Sequence, residues 1–294
     1  MPHSDIQPLY KALVGKTEDV ANRDLKGDQT GERLSSLAVA CRGFLSTLDR
    51  RELISKVPNK SYFMFSDSSQ KKTSRPVNSL LYDSDLDVSA IRKILSCEMT
   101  GLSPEKITRC IYTLAACYCC SSDILNTSDQ KTPGTFFEFL IGHLVAHALG
   151  TNPEKQISVP TLDMDITIPT DFVFDLGAGK NRVHLPIKLS TRERVVQVWA
   201  HQRVLDGMHG TARFKGILVV MGETNKQKDV SVTEVCLPKQ WMAYQMYIAQ
   251  LFRIYYLDLP EKYVALKGAY PFIQVKAFGE FFSEIAKIER SGVE

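Results

Sequence analysis

Two charged residues, each at the end of an apolar run, carry the first chemical signal in this sequence. Pro169-Thr170-Asp171-Phe172-Val173-Phe174 puts Asp171 at the head of one run, and Val183-His184-Leu185-Pro186-Ile187-Lys188 puts Lys188 at the end of the next. Between them, Asp175-Leu176-Gly177-Ala178-Gly179-Lys180-Asn181 has the composition of a hairpin loop. An antiparallel hairpin brings its outer ends together, so Asp171 and Lys188 are expected to be neighbours. Glu138 stands in Gly134-Thr135-Phe136-Phe137-Glu138, a charge among aromatic rings. An ionised carboxylate is costly in such surroundings unless it is paired or bound to a metal. Carboxylates offer a divalent cation the hard oxygen ligands it needs, and a lysine beside them can hold a nucleophile or offset charge in a transition state. Those are the parts required to hydrolyse a phosphodiester. Asp163, Asp165 and Asp175 compete as carboxylates, but Asp175 opens the turn and is expected to cap it.

The elements that must position these groups can be read from periodicity. Residues 1–130 read as a mainly helical region, with helical spacing in Leu34–Leu48, Val88–Leu95 and Ile107–Cys120 and a helix start at Ser103-Pro104-Glu105. Phe65–Ser79 and Ser121–Gln130 are polar connections. Residues 131–294 change character. Thr135–Leu149 is an apolar helix opened by Pro133-Gly134 and closed at Gly150. Short β-like runs follow at Ile157–Val159, Asp165–Ile168, Phe172–Phe174, Val183–Ile187, Ile217–Val220 and Val230–Val235. Helices over Thr191–Leu205 and Lys239–Tyr255 interleave with them. The order predicts an α/β sandwich around a mixed sheet, not a doubly wound parallel sheet.

With this element order, Thr132 to Val235 resembles the PD-(D/E)xK superfamily, and specifically the type II restriction endonucleases that cut CCGG-containing sites. Asp171 stands at the motif aspartate, Lys188 at the motif lysine, and Gly134 to Glu138 is similar to the Gly-x-x-Phe-Glu-like segment of the preceding helix. The chain departs from the pattern at Pro186, where the acid two residues before the lysine is expected. Members that lack this acid take a glutamate about 12 or 13 residues after the lysine, where this chain has Ala200 and His201. Glu138, Glu193 or His201 could complete the site, with Glu138 preferred. Lys188-Leu189-Ser190-Thr191-Arg192-Glu193-Arg194 is similar to the Lys-x-Ser-x-Arg-(Asp/Glu)-Arg segment of the same group. An arginine can bond guanine O6 and N7, and a carboxylate can accept from cytosine N4, so Arg192, Glu193 and Arg194 are candidate base readers. Gln202 and Arg203 are further candidate DNA contacts, with Lys180, Arg182, Arg213 and Lys215 as candidates for phosphate. The resemblance implies a nuclease core over 131–294, Mg²⁺ as cofactor, double-stranded DNA as substrate and a homodimer or higher oligomer. Residues 1–130 would add DNA contacts and a dimer surface.

Other constellations fail on their own chemistry. Gly15-Lys16-Thr17 and Gly179-Lys180 lack the earlier glycine of a phosphate loop, where Tyr10 and Phe174 stand. His143 and His147 have metal-ligand spacing on a helix, but Leu144 occupies the place of the glutamate that a zinc peptidase needs. A zinc hydrolase using that pair is one alternative, and a DNA-binding protein with a degenerate nuclease fold is another. The seven cysteines, including Cys117, Cys119 and Cys120, lack paired zinc spacing and read as small buried hydrophobes. A net charge of +3 does not announce a nucleic-acid binder, so local clusters must carry that reading. With neither a leader pattern nor a long apolar run, a soluble cytoplasmic protein is expected.

Overall fold

The computed structural model describes residues 3–15, 24–160, 165–192, 195–211 and 213–290. Three helices and four strands come first among them: α1 (His3–Val14), α2 (Asp28–Leu45), β1 (Asp49–Ser55), β2 (Tyr62–Asp67), β3 (Lys72–Thr73), β4 (Val77–Asn78) and α3 (Val88–Leu95). Then follow α4 (Pro104–Leu125), α5 (Thr132–Leu149), β5 (Glu154–Pro160), β6 (Asp165–Asp175), β7 (Arg182–Leu185), β8 (Ile187–Lys188) and α6 (Val196–His209). The chain continues through β9 (Phe214–Val220), β10 (Thr224–Lys226), β11 (Ser231–Glu234), α7 (Pro238–Tyr247) and β12 (Arg253–Tyr256). It ends in α8 (Glu261–Val264), α9 (Leu266–Ala269), β13 (Val275–Ala277) and α10 (Phe281–Glu289). No described helix is long and apolar enough to cross a membrane.

Among the described residues the strands form two sheets. The larger runs β13-β12-β9-β7-β6-β5, with β8 continuing beside β9. It is mixed: β5, β6 and β7 pair antiparallel, while β7, β9, β12 and β13 run parallel. Side chains alternate across a strand, and β9 shows the consequence. Ile217 and Val219 enter the core shared with α2, α4 and α5, whereas Leu218 and Val220 pack on the opposite face with Trp199 of α6 and Trp241 of α7. Tyr255 of β12 faces the first core, and Ile254 and Tyr256 face the second. Helices therefore cover both faces of the sheet, as a partly parallel sheet requires.

The expected α/β sandwich with a mixed sheet is thus the fold observed. Three details differ from expectation. Residues 49–78 supply four strands, and β1 lies in a second sheet, β10-β11-β1-β2-β3, where it runs parallel to β11. Polar Ser66 and Asp67 end β2 instead of belonging to a connection; the Asp67 carboxylate accepts from the backbone N–H groups of Ser69 and Gln70 and closes the turn. Arg253-Ile254-Tyr255-Tyr256 is a buried strand and not the end of a helix, consistent with its β-branched and aromatic content.

The helix starts and stops read from sequence hold at two places. Ser103 caps α4 by accepting from the Lys106 N–H, with Pro104 in the first turn. Gly150 ends α5 in the left-handed region at φ 69°. The buried thiols of Cys117, Cys119 and Cys120 lie within α4 and are free. His143 is buried in α5 with both ring nitrogens facing carbonyls, Nδ1 toward Leu25 O at 2.5 Å and Nε2 toward Leu95 O at 2.7 Å. Neither nitrogen is left for a metal, which removes the zinc-hydrolase alternative.

Candidate active site

The hairpin β6–β7 fixes the site through its register. Phe172 lies opposite Leu185 and Phe174 opposite Val183, with Asp175 opposite Arg182 at the loop end. The loop is held as expected: Asp175 accepts from the Gly177 N–H at 2.9 Å and pairs with the Arg182 guanidinium at 2.6 Å. At the open end the strand breaks at Pro186, which has no N–H to give a neighbouring strand. Its carbonyl still accepts from Val219 N–H at 3.0 Å, and β8 resumes beside β9 with Lys188 opposite Val220. Asp171 and Lys188 meet there: Lys188 Nζ is 2.8 Å from Asp171 Oδ2, and the same oxygen accepts from the Ile187 N–H at 2.7 Å. Both side chains remain partly open to solvent, at 20% for Asp171 and 30% for Lys188.

Glu138 approaches this pair from α5. Burial first and the negative charge of Asp171 second raise its pKa to about 7, against the opposite pull of Lys155 and Lys188. The ammonium of Lys155 lies over the Phe139 and Phe172 rings, at 5.7 and 5.1 Å. The close approach depends on Gly142, one helical turn beyond Glu138, because a Cβ there would sit 2.6 Å from Phe172 Cε2. A buried carboxylate whose ionisation is opposed by a neighbouring carboxylate's charge belongs to a donor set suited to a hard divalent cation, which relieves the repulsion. Among the described residues no group of three or more His, Cys, Asp or Glu is arranged to hold a metal. A cation taking one or two protein carboxylates and filling its remaining positions with water and phosphate fits this set.

His201 lines the same pocket of about 280 Å³ as Asp171 and Lys188, together with His184 and Pro186. The structure therefore places His201 beside the Asp171–Lys188 pair. Gln202 is a correction. It is buried on the inner face of α6, where its Nε2 donates to Asp206 Oδ1 at 2.9 Å and Phe214 O at 3.0 Å. Its Oε1 faces His184 Nδ1 at 3.0 Å. A carboxamide oxygen only accepts, so Nδ1 carries the proton, and burial lowers the His184 pKa to about 4. Every polar atom of Gln202 serves the interior and none is left for DNA.

The candidate DNA contacts divide in the same way. Arg203 is exposed on α6. Arg192 is exposed too, although α6 starts at Val196, so Arg192 lies in the bend before the helix and not in its first turn. Glu193 and Arg194 lie outside the described residues. Lys180 and Arg182 are paired with Glu289 and Asp175, and Arg213 donates to the Lys180 carbonyl. Lys215 is buried, and its Nζ donates to the carbonyls of Lys287 and Arg290, fixing the end of α10 and not a phosphate.

Sequence reading missed Glu223. It is fully buried at the exit of β9 and accepts from Ser190, Thr191 and Tyr256. A charged residue three positions beyond the buried run Phe214–Val220, past the carboxyl end of a parallel strand, was the available signal.

No protein-family model matches the chain, and no curated protein matches it. Among solved structures, the crystal structure of the type IIP restriction endonuclease Kpn2I matches with a TM-score of 0.77 at 23% identity, covering 98% of this chain and 97% of that one. A looser match is a restriction endonuclease PspGI–substrate DNA complex, with a TM-score of 0.43 and 13% identity, over 88% of this chain and 92% of that one. This chain thus shares the fold of the restriction endonuclease Kpn2I over 98% of its length.

Proposed function

We propose that the chain is a Mg²⁺-dependent type II restriction endonuclease, hydrolysing phosphodiester bonds at a short G·C-containing site in double-stranded DNA. The observation that carries this reading is the 2.8 Å pairing of Lys188 with Asp171 at the open end of the hairpin, with Glu138 close enough for the charge of Asp171 to help raise its pKa. Asp171 and Glu138 would hold the cation, which when bound polarises the phosphate and eases ionisation of the attacking water. Lys188 would orient that water or offset the charge that builds on the phosphate oxygens. His201 stands at the wall of the same pocket and is the reserve candidate to complete the ligand set. Arg192, Glu193 and Arg194 would read base edges and Arg203 would contact phosphate. A two-fold homodimer would cut both strands of a palindrome, because each protomer then reads one half-site.

Digestion of a long duplex of known sequence with Mg²⁺, followed by mapping of the fragment ends, tests the reading. Discrete ends are expected from the wild type. Lys188→Ala should lower cleavage by at least about a hundredfold while leaving DNA binding measurable. A wild-type protein that binds DNA and never nicks it would instead have a degenerate site. A Lys188→Ala protein that cuts at the wild-type rate would remove Lys188 from the chemistry.

A further inference from the structure

We infer that Glu223 is a positioning residue for base recognition: through the Ser190 hydroxyl it sets the orientation of the Arg192 guanidinium. The inference rests on the nuclease reading above and adds to it a residue that contacts no DNA. The bonds form a chain. Glu223 Oε2 accepts from Ser190 Oγ at 3.2 Å and from the Thr191 N–H at 3.1 Å. Glu223 Oε1 accepts from the Thr191 N–H at 3.0 Å, from Thr191 Oγ1 at 2.6 Å and from the Tyr256 hydroxyl at 2.7 Å. Ser190 Oγ in turn accepts from Arg192 N at 3.2 Å and Arg192 Nε at 3.0 Å. A hydroxyl has one proton and two lone pairs, so Ser190 spends its proton on Glu223 and both lone pairs on Arg192. The far end of the guanidinium is fixed separately, with Nη1 donating to Asn225 Oδ1 at 2.7 Å.

The placement explains why a carboxylate sits in a fully buried position. Burying a charge is unfavourable unless its lone pairs are satisfied, and a close-packed apolar side chain would serve stability as well or better. An apolar residue could not hold a segment that belongs to neither strand nor helix. The ladder between β8 and β9 runs on past Lys188, with Met221 N–H donating to Lys188 O and Gly222 N–H to Leu189 O, and Glu223 is the next residue on that edge. Its side chain takes over where backbone pairing stops, two residues beyond the lysine of the candidate active site. Ser190, Arg192 and Asn225 line the edge of a cleft of about 690 Å³. A guanidinium held at both ends before DNA arrives loses less freedom on binding and tolerates fewer wrong partners.

The test compares the fragment ends that the wild type, Arg192→Ala, Ser190→Ala and Glu223→Gln produce from one long duplex of known sequence with Mg²⁺, with thermal unfolding of each as a check on folding. Ser190→Ala removes the link and leaves the bonds from Thr191 and Tyr256 to Glu223 in place. Glu223→Gln turns one acceptor oxygen into a donor facing other donors. Ser190→Ala and Glu223→Gln are expected to relax selectivity at the same base pair as Arg192→Ala, by about tenfold. A merely structural role would slow cutting at every site alike and leave the distribution of ends unchanged; that result overturns the inference. So does Ser190→Ala with wild-type ends beside a relaxed Arg192→Ala, or an Arg192→Ala that keeps full selectivity. In each of those cases the nuclease reading stands. A wild-type protein giving no discrete ends would overturn both. Should Glu223→Gln fail to fold, Ser190→Ala carries the decision alone.

Discussion

Two carboxylates held at short range in a partly buried site cannot both stay ionised at low cost. In this chain the burden falls on Glu138, whose pKa rises from 4.5 to about 7 through burial first and the charge of Asp171 second. The folded state therefore holds a proton that the unfolded chain releases between those two values. Stability falls as pH climbs through that window, and the full penalty is present above about pH 7. Allowing for partial solvent screening, the penalty is on the order of 2 kcal/mol. Glu138→Gln, measured without divalent cation, is expected to raise the unfolding temperature by a few degrees at pH 8. The advantage should shrink as pH drops and vanish below about pH 4.5, which thermal scans across pH would show. An equal offset at every pH would mean that Glu138 carries no strained charge. The pairing of Asp171 with Lys188 was legible in the sequence because a hairpin with a loop of turn residues fixes which ends meet. Glu223 was not, because its partners Ser190 and Thr191 lie 33 and 32 positions away and are joined to it only once β8 and β9 pair.

At the scale of elements, the site exists because α5 can press against β6. Gly142 is where they meet, and an added Cβ would come within 2.6 Å of Phe172 Cε2 and 3.3 Å of Leu25 Cδ1. Gly142→Ala sets two effects against each other. Alanine favours the helix by about 1 kcal/mol, while overpacking a close contact costs about 1–3 kcal/mol and shifts backbone. The clash is with a ring in the core, not with a mobile surface side chain, so it wins. The variant is expected to unfold at lower temperature and to lose cleavage disproportionately, because Glu138 sits on the same helix one turn away and Asp171 precedes Phe172. Gly142→Ala with unchanged activity would show that the spacing of α5 and β6 does not set the site. The sequence displayed α5 plainly, through its apolar content, Pro133 and Gly150. It hid β1, whose residues Asp49–Ser55 are largely exposed and polar, because that strand is defined by its partners β2 and β11 and not by its own pattern. The α6 start was misplaced for a related reason: Thr191 has the composition of a helix cap, but its N–H and hydroxyl are taken by a distant carboxylate.

At the scale of the molecule, the change in sequence character near residue 130 does not coincide with a break in packing. One core cluster runs from Ile6 to Ile288 and holds Leu37, Ile111 and Cys119 together with Phe174, Val183 and Tyr255. The second sheet also crosses that point, since β1 pairs with β11, and Lys60 bridges Glu234 and Asp258 at 2.7 Å each. Residues 131–294 expressed alone would bare one face of the larger sheet where α2 and α4 now lie, and would leave β11 with an open edge. They retain Asp171, Lys188 and Glu138, so a fragment that folded independently would keep the candidate site. The packing argues against such independence: the fragment is expected to aggregate, or to bind a hydrophobic dye while lacking a cooperative thermal transition. The full chain should unfold in one main step with no early loss of residues 1–130. A soluble 131–294 fragment with a sharp transition of its own would place the folding unit in the second segment and reduce the first to an addition.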